Sequence, residues 1–337
     1  MARSMSTAAA ALLYASLAAL GGCTCGFDCS SDDEESGSRA VLDLRLSDAS
    51  PEDLKEVVID IESITLQRGG GDDVEIERFS VPRLGISNED NVPVDLLQFR
   101  GENSVLLVDD LEIDADDYND IVIAIRVDDP NNSYVLEDDD TLRELTVSGG
   151  RLVLPGVRLT EGDENLTIEF DLALSLRYEA ASERYRLTSD GVRVVDNTRG
   201  ATLAGSIDTE LFDRGVCDDK IDPEQGNRVY LYEGHGLDAG GLADVHRSDS
   251  ARNIPADAVA PIAVASVFSG NSDTWRYEFG ALAPGNYTVA FSCDTEDDDA
   301  RDYDGITVPL PAEQLYEVRL DSNSAVFCDI EDDSNCG

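Results

Sequence analysis

Leu42-Asp43-Leu44-Arg45-Leu46-Ser47-Asp48-Ala49 carries an apolar side chain at every second position through Leu46. Successive side chains of an extended chain point to opposite faces, so this stretch reads as a half-buried β-strand. The same period returns at Val57, Ile59 and Ile61, after which the apolar set moves to Ile64 and Leu66. A change of phase near Ser63 is what one extra residue in a β-bulge produces. Between the two runs, Ser50-Pro51-Glu52-Asp53 offers an N-cap, a proline at the first helical position and early acids, and predicts a single helical turn. Gly69-Gly70-Gly71-Asp72 predicts a turn, with 74–79 as the return strand of a hairpin. Ile121-Val122-Ile123-Ala124-Ile125 is apolar at consecutive positions, which predicts a central strand covered on both faces.

Further strands read at 105–108, 142–147, 152–159, 166–176 and 192–195, before a break at Asn197-Thr198-Arg199-Gly200. Beyond it they resume at 201–207, 229–232, 262–268, 275–279, 287–293, 306–308 and 316–320. No long stretch has a helical period. The expectation is an all-β chain of two β-sandwich domains in series, 39–197 and 201–327, followed by a Cys-containing tail over 328–337. Trp275, Tyr277 and Phe279 share one strand face, and Tyr287, Val289, Phe291 and Cys293 share another. Both read as core stripes rather than as an exposed aromatic platform.

The chain carries 71 Asp+Glu against 25 Lys+Arg, a net charge of -46. Phosphate binding needs clustered cations, so nucleic acid and an anionic membrane surface are excluded as direct partners. Lys55 and Lys220 are the only lysines. An acid-rich, lysine-poor surface is the halophile pattern, and it predicts a fold that depends on salt to screen its self-repulsion.

The N-terminus has Arg3, an apolar run over 8–20 and Gly21-Gly22 before Cys23. That is the layout of a signal peptide over 1–22. The run of about 13 residues falls short of the roughly 20 that span a bilayer as a helix. Residues 23–38, mostly Ser, Asp, Glu and Gly, predict a flexible acidic tether. Setting Cys23 aside leaves Cys25, Cys29, Cys217, Cys293, Cys328 and Cys336, an even set in an exported chain. The preferred pairs are Cys25 with Cys29, Cys217 with Cys293 and Cys328 with Cys336, although spacing does not choose among the fifteen possibilities. Read as a metal motif, Cys25-Gly26-Phe27-Asp28-Cys29 lacks a second ligand pair.

Catalytic patterns are sparse. His235 and His246 both fall in a Gly- and Asp-rich loop, where His246-Arg247-Ser248-Asp249 sets a nucleophile and an acid near an imidazole. Neighbours within one loop do not make a triad, which needs groups placed by the fold. The loop from His235 to Asp249 is therefore a rival hydrolase site only. Asp299, Asp302 and Asp304 could supply an irregular calcium site. Their run fails as an EF-hand because its first and twelfth positions fall on Ala300 and Pro311. Asp109, Asp110, Asp114, Asp116 and Asp117 form a second acidic run of the same kind.

Three stretches resemble known families. Leu20-Gly21-Gly22-Cys23 resembles the lipobox of bacterial lipoproteins, which implies a diacylglyceryl group on the Cys23 thiol. Thr24, in place of an aspartate, implies the outer membrane. Leu42 to Ala49, Asp53-Leu54-Lys55-Glu56-Val57, Asp117-Tyr118 and Leu166-Thr167-Ile168-Glu169-Phe170-Asp171 resemble the domain of unknown function 4382 family of bacterial lipoproteins. The sequence departs from that pattern at Ser50 and at Ser189-Asp190-Gly191. The resemblance implies an extracytoplasmic β domain without assigned chemistry. Phe279-Gly280-Ala281-Leu282-Ala283-Pro284-Gly285-Asn286-Tyr287 resembles prealbumin-like modules related to carboxypeptidase regulatory domains. There Pro284-Gly285 would make a tight turn and Leu282 and Tyr287 would pack its corner. Val108-Asp109-Asp110-Leu111 followed by Tyr118 echoes that pattern. The function expected is a lipid-anchored, non-catalytic binding or structural role at the cell envelope, with an envelope protein or glycan as partner and no required cofactor. A hydrolase using the His235 to Asp249 loop and a calcium-dependent adhesin are the alternatives.

Overall fold

The alternating leucines of the opening stretch do what their period dictates. Strand Arg39–Ala49 buries Leu42, Leu44 and Leu46 completely or nearly so. It lies between Gly162–Asp171, which runs parallel to it, and Val105–Asp114, which runs antiparallel. Val192–Asp196 closes that sheet. The facing sheet is built on Leu54–Arg68, where a register shift between Ile61 and Ser63 marks the bulge that the change of phase required. Asp117–Ile125 sits between Leu54–Arg68 and Arg151–Arg158, so the apolar pentad is a central strand. Tyr134–Glu137, Leu142–Val147, Arg184–Leu187 and Leu176–Glu179 extend the sheet on its other side.

The computed structural model describes residues 38–336 apart from 50–53, 100–102, 128, 130, 213–214, 218–222, 224, 245–254, 256, 270–273, 297, 299–302, 304 and 332–335. The helical turn expected at 50–53 lies outside these residues. Two expected strands are corrected. The run 166–176 breaks at Leu172, where Leu172–Ser175 makes one helical turn. That turn commits Leu172 to the first core and Leu174 to a cluster shared with the second sandwich. Residues 306–308 form no strand, and the nearest pairing is an isolated bridge from Ser292 to Leu310. The return strand of the hairpin also splits. Val74–Ile76 pairs back on Leu54–Arg68, while Phe79–Val81 turns away to pair with Ile86–Glu89.

In the second sandwich Ala201–Ile207 lies between Ala325–Phe327, parallel, and Trp275–Leu282, antiparallel, with Phe268–Ser269 at the far edge. The facing sheet runs Ala263–Ser266, Arg228–Glu233, Gly285–Ser292, Leu315–Leu320. Tyr277 and Phe279 pack against Val289 and Phe291 in the core between the two sheets, with Trp275 partly buried beside them. A disulfide joins Cys217 to Cys293 inside this core, and another joins Cys328 to Cys336. The segment from Cys328, expected as a tail, begins as part of the sheet. Cys328 and Ile330 are fully buried and donate their backbone N–H groups to Ala204 O and Ser206 O, each at 2.8 Å. Gly205 permits this approach, since a Cβ there would stand 2.0 Å from Cys328 O and 2.7 Å from the Tyr277 ring.

The two sandwiches share one plan. In each, the opening strand lies between a late strand running parallel to it and an earlier antiparallel one. The antiparallel strand then crosses to the other sheet, where the next strand pairs with the second and the penultimate strands of the plan. Both crossings are pinned alike. Tyr118 Oη donates to Asp114 O at 3.0 Å, and Tyr287 Oη donates to Ala283 O at 2.7 Å, each four residues back. At the first corner the Arg68 guanidinium also lies 5.2 Å from the Tyr118 ring centre and donates to Asp114 Oδ2. The echo between Val108–Tyr118 and Phe279–Tyr287 thus marks equivalent corners of a repeated topology.

Candidate functional site

Chemistry concentrates at three places. The first lies between the sandwiches. Cross-strand register places Ser47 beside Glu169 and Glu169 beside Arg193, on the sheet face turned away from the leucines. Ser47 Oγ donates to Glu169 Oε2, and Arg193 Nη2 stands 3.9 Å from Glu169 Oε1. Two residues along the strand, Asp171 Oδ2 accepts the Val264 N–H at 3.1 Å, while Arg193 Nη1 donates to Ile262 O at 3.0 Å. Two side chains of the first sandwich therefore hold backbone of the second. Glu169 and Asp171 are both 0 % exposed, and removal from water disfavours the charged form. Burial pushes Asp171 up to about 7, against the opposing pull of Arg193 and the Val264 N–H and with Glu169 adding to the rise. Burial raises Glu169 too, opposed by Arg193 and by the Ser47 hydroxyl. Carboxylates without solvent contact meet no substrate, so this cluster is an ionisable latch.

The second place is an acidic knot on the first sandwich. Register shifts around Leu44 mark a bulge opposite Asp109 and Asp110. Asp110 adopts φ 51° and donates its N–H to Asp43 Oδ1 at 3.0 Å. Carboxylate oxygens of Asp43, Asp109 and Asp110 lie within 4.8 Å of one another. Sequence reading singled out Asp109 and Asp110 but not Asp43, because the bulge that gathers the three depends on pairing between distant strands. Asp114 is committed elsewhere, to Arg39 at 2.6 Å and Arg68 at 2.8 Å, and these two arginines hold its carboxyl below the usual range. Asp116 and Asp117 face Arg68 and Arg158 at 3.7 and 3.5 Å.

The third place is an open trough of about 390 Å³ on the outer face of the second sandwich. Ala204 and Ser206 form a low floor on the opening strand. Register sets Glu278 beside Ala204 and Arg276 beside Ser206. The rims are two phenylalanines on the outermost strands, Phe268 beside Arg276 and Phe327 beside Ala204. They are 40 % and 69 % exposed. Asp329 closes one end, accepting the Ser206 N–H and hydroxyl at 2.8 Å each. The corresponding face of the first sandwich, with Ser47, Thr167 and Glu169, is buried.

Of the residues expected to carry chemistry, His235 is held by structure. Its Nε2 donates to Val318 O at 2.9 Å, and Nδ1 lies 3.7 Å from Glu317. His246 and Asp249 lie outside the described residues, as do Cys23, Cys25, Cys29, Asp299, Asp302 and Asp304. Among the described residues no helix is long and apolar enough to cross a membrane.

The fold defines an all-β protein of two sandwiches in series. Residues 39–189, the body of the first sandwich, match the family model described as domain of unknown function DUF4382. No curated protein matches the sequence. Among solved structures, a candidate cell adhesion protein from Bacteroides fragilis is 9 % identical, with 88 % of this chain and 96 % of that one covered and a TM-score of 0.20. The minor pilin GBS52 of Streptococcus agalactiae is 11 % identical, with 86 % and 94 % covered and a TM-score of 0.17. A leucine-rich repeat protein from Bacteroides thetaiotaomicron is 8 % identical at a TM-score of 0.19, and this chain spans a quarter of its length (25 %). Likenesses of this size assign no activity.

Proposed function

We propose that the protein is a non-catalytic binding module of the cell envelope, held at the outer membrane by lipid on Cys23 and displayed on the acidic segment that follows. The observation that carries the binding role is the open trough, which sets two exposed aromatic rims around polar side chains. Large apolar side chains left in water around a recess mark interaction sites. The disulfides Cys217–Cys293 and Cys328–Cys336 support an oxidising, exported setting. His235, committed to Val318 O, gives no support to the hydrolase alternative.

The test is made on intact cells. Metabolic labelling with a fatty acid should mark the wild-type chain and not Cys23→Ala. Photo-crosslinking from position 327 should capture an envelope component, whereas crosslinking from position 153, exposed on a strand of the first sandwich, should not. Lack of label on the wild type would refute the anchor, and equal capture from both positions would refute the binding face.

A further inference from the structure

The trough is selective in its chemistry, and that selectivity names a ligand class. Its floor is kept low by Ala204 and Ser206, so a chain can lie across the strands. Its rims stand on the two outermost strands of a four-stranded sheet. Three inter-strand steps of about 4.8 Å and an offset of two residues, about 7 Å, along the strands put them about 16 Å apart, the scale of an oligomer of small rings rather than one metabolite. Aromatic faces are apolar and electron-rich, and favour C–H-bearing faces laid over them. Between the rims stand one guanidinium, Arg276, and two carboxylates, Glu278 and Asp329. An anionic ligand would be opposed by those carboxylates and by the net charge of -46. A cationic one would meet Arg276, which stands beside the Phe268 rim.

An uncharged polyol suits both signs at once, because its hydroxyls donate to carboxylates and accept from the guanidinium. Its ring C–H faces suit the phenylalanines. We propose that this trough binds a neutral glycan chain, with Phe268 and Phe327 stacking on sugar rings and Arg276 donating to a hydroxyl between them. The proposal rests on the reading of the trough as the binding face and goes beyond it by naming the ligand.

The experiment presents the full chain, in detergent and 1 M salt, to neutral hexasaccharides of glucose, mannose, galactose, xylose and N-acetylglucosamine. Polygalacturonate and a basic phenylalanine-containing peptide serve as the charged comparisons. At least one neutral hexasaccharide should bind saturably. Phe268→Ala and Phe327→Ala should each weaken it at least tenfold and Arg276→Ala at least fivefold, with melting temperatures unchanged. No neutral hexasaccharide binding, binding indifferent to all three substitutions, or tighter binding of either charged probe would overturn the proposal. If crosslinking from position 327 still captures an envelope component while no glycan binds, the glycan assignment fails and the broader binding role stands.

Discussion

Asp171→Asn isolates the energetic cost of the latch. Asp171 is fully buried, and its carboxyl is raised from an ordinary 3.8 to about 7. A carboxyl raised on folding favours its protonated form in the native state. Its favourable contribution is thus complete below pH 3.8 and lost as the pH climbs through 7. The interval between 3.8 and about 7, at 1.36 kcal/mol per pH unit, makes the ionised side chain cost about 4 kcal/mol at pH 8. The asparagine variant keeps an oxygen for the Val264 N–H and does not ionise. Acids outside the latch titrate alike in both proteins, so the difference between variant and wild type reports Asp171 together with its coupling to Glu169. Chemical denaturation at pH 4, 5, 6, 7 and 8 in 1 M salt should give a difference near zero at pH 4. It should then rise in favour of the variant to about 4 kcal/mol at pH 8, on the order of 8 °C in melting temperature. Parallel stability profiles across that range would refute the assignment of this proton to Asp171.

Arg193→Met should act in the opposite sense. Stripped of their cation, Glu169 and Asp171 would be buried and uncompensated, which costs about 3–5 kcal/mol at pH 8 and much less at pH 4, where they take protons, as denaturation at the two pH values will show. Tyr287→Phe should cost about 1 kcal/mol for the one corner hydrogen bond it removes, and Tyr118→Phe about 1–2 kcal/mol, because its hydroxyl also accepts from Arg68 Nη2 at 3.1 Å; unfolding curves of the two variants check this order. Replacing Cys217 and Cys293 by alanine opens a loop closed over 76 positions and should cost about 4.5 kcal/mol in denaturant unfolding, against about 2.5 kcal/mol for the pair separated by 8. Raising salt from 0.05 to 2 M should raise the melting temperature, since screening shortens the reach of carboxylate repulsion; a constant value would dismiss the salt-dependent reading.

Strand period and its interruptions were readable because each residue's neighbours within a strand are its neighbours in sequence. Leu42 to Leu46, the break of phase at Ser63 and the pentad from Ile121 illustrate this. The tyrosine corners were readable for the same reason, since each hydrogen bond spans four residues. What escaped was set by distance along the chain. The strand Ala325–Phe327 is three residues long and gains its meaning from Ala201–Ile207. The helical turn at Leu172–Ser175 has an apolar pattern that also suits a strand, and packing against Tyr230 and Tyr232 decides between them. Asp43 joins Asp109 and Asp110 only through a bulge, and the trough gathers side chains from four strands. The acids of Leu166 to Asp171 were visible, but their burial was not, because the sandwich that buries them lies on another part of the chain.

The parallel pairing of opening and late strands places a clock on the making of this protein. Ser47 meets Glu169 across 122 positions, and Ser206 meets Asp329 across 123. A chain emerging at roughly 5–20 residues per second leaves each opening strand waiting for on the order of 6–25 s with one edge unsatisfied. Through that interval the backbone N–H and C=O groups along one edge of Arg39–Ala49 are open to any passing strand. The dense like charge of the chain, 71 Asp+Glu in all, is then a safeguard during synthesis as well as a property of the finished surface.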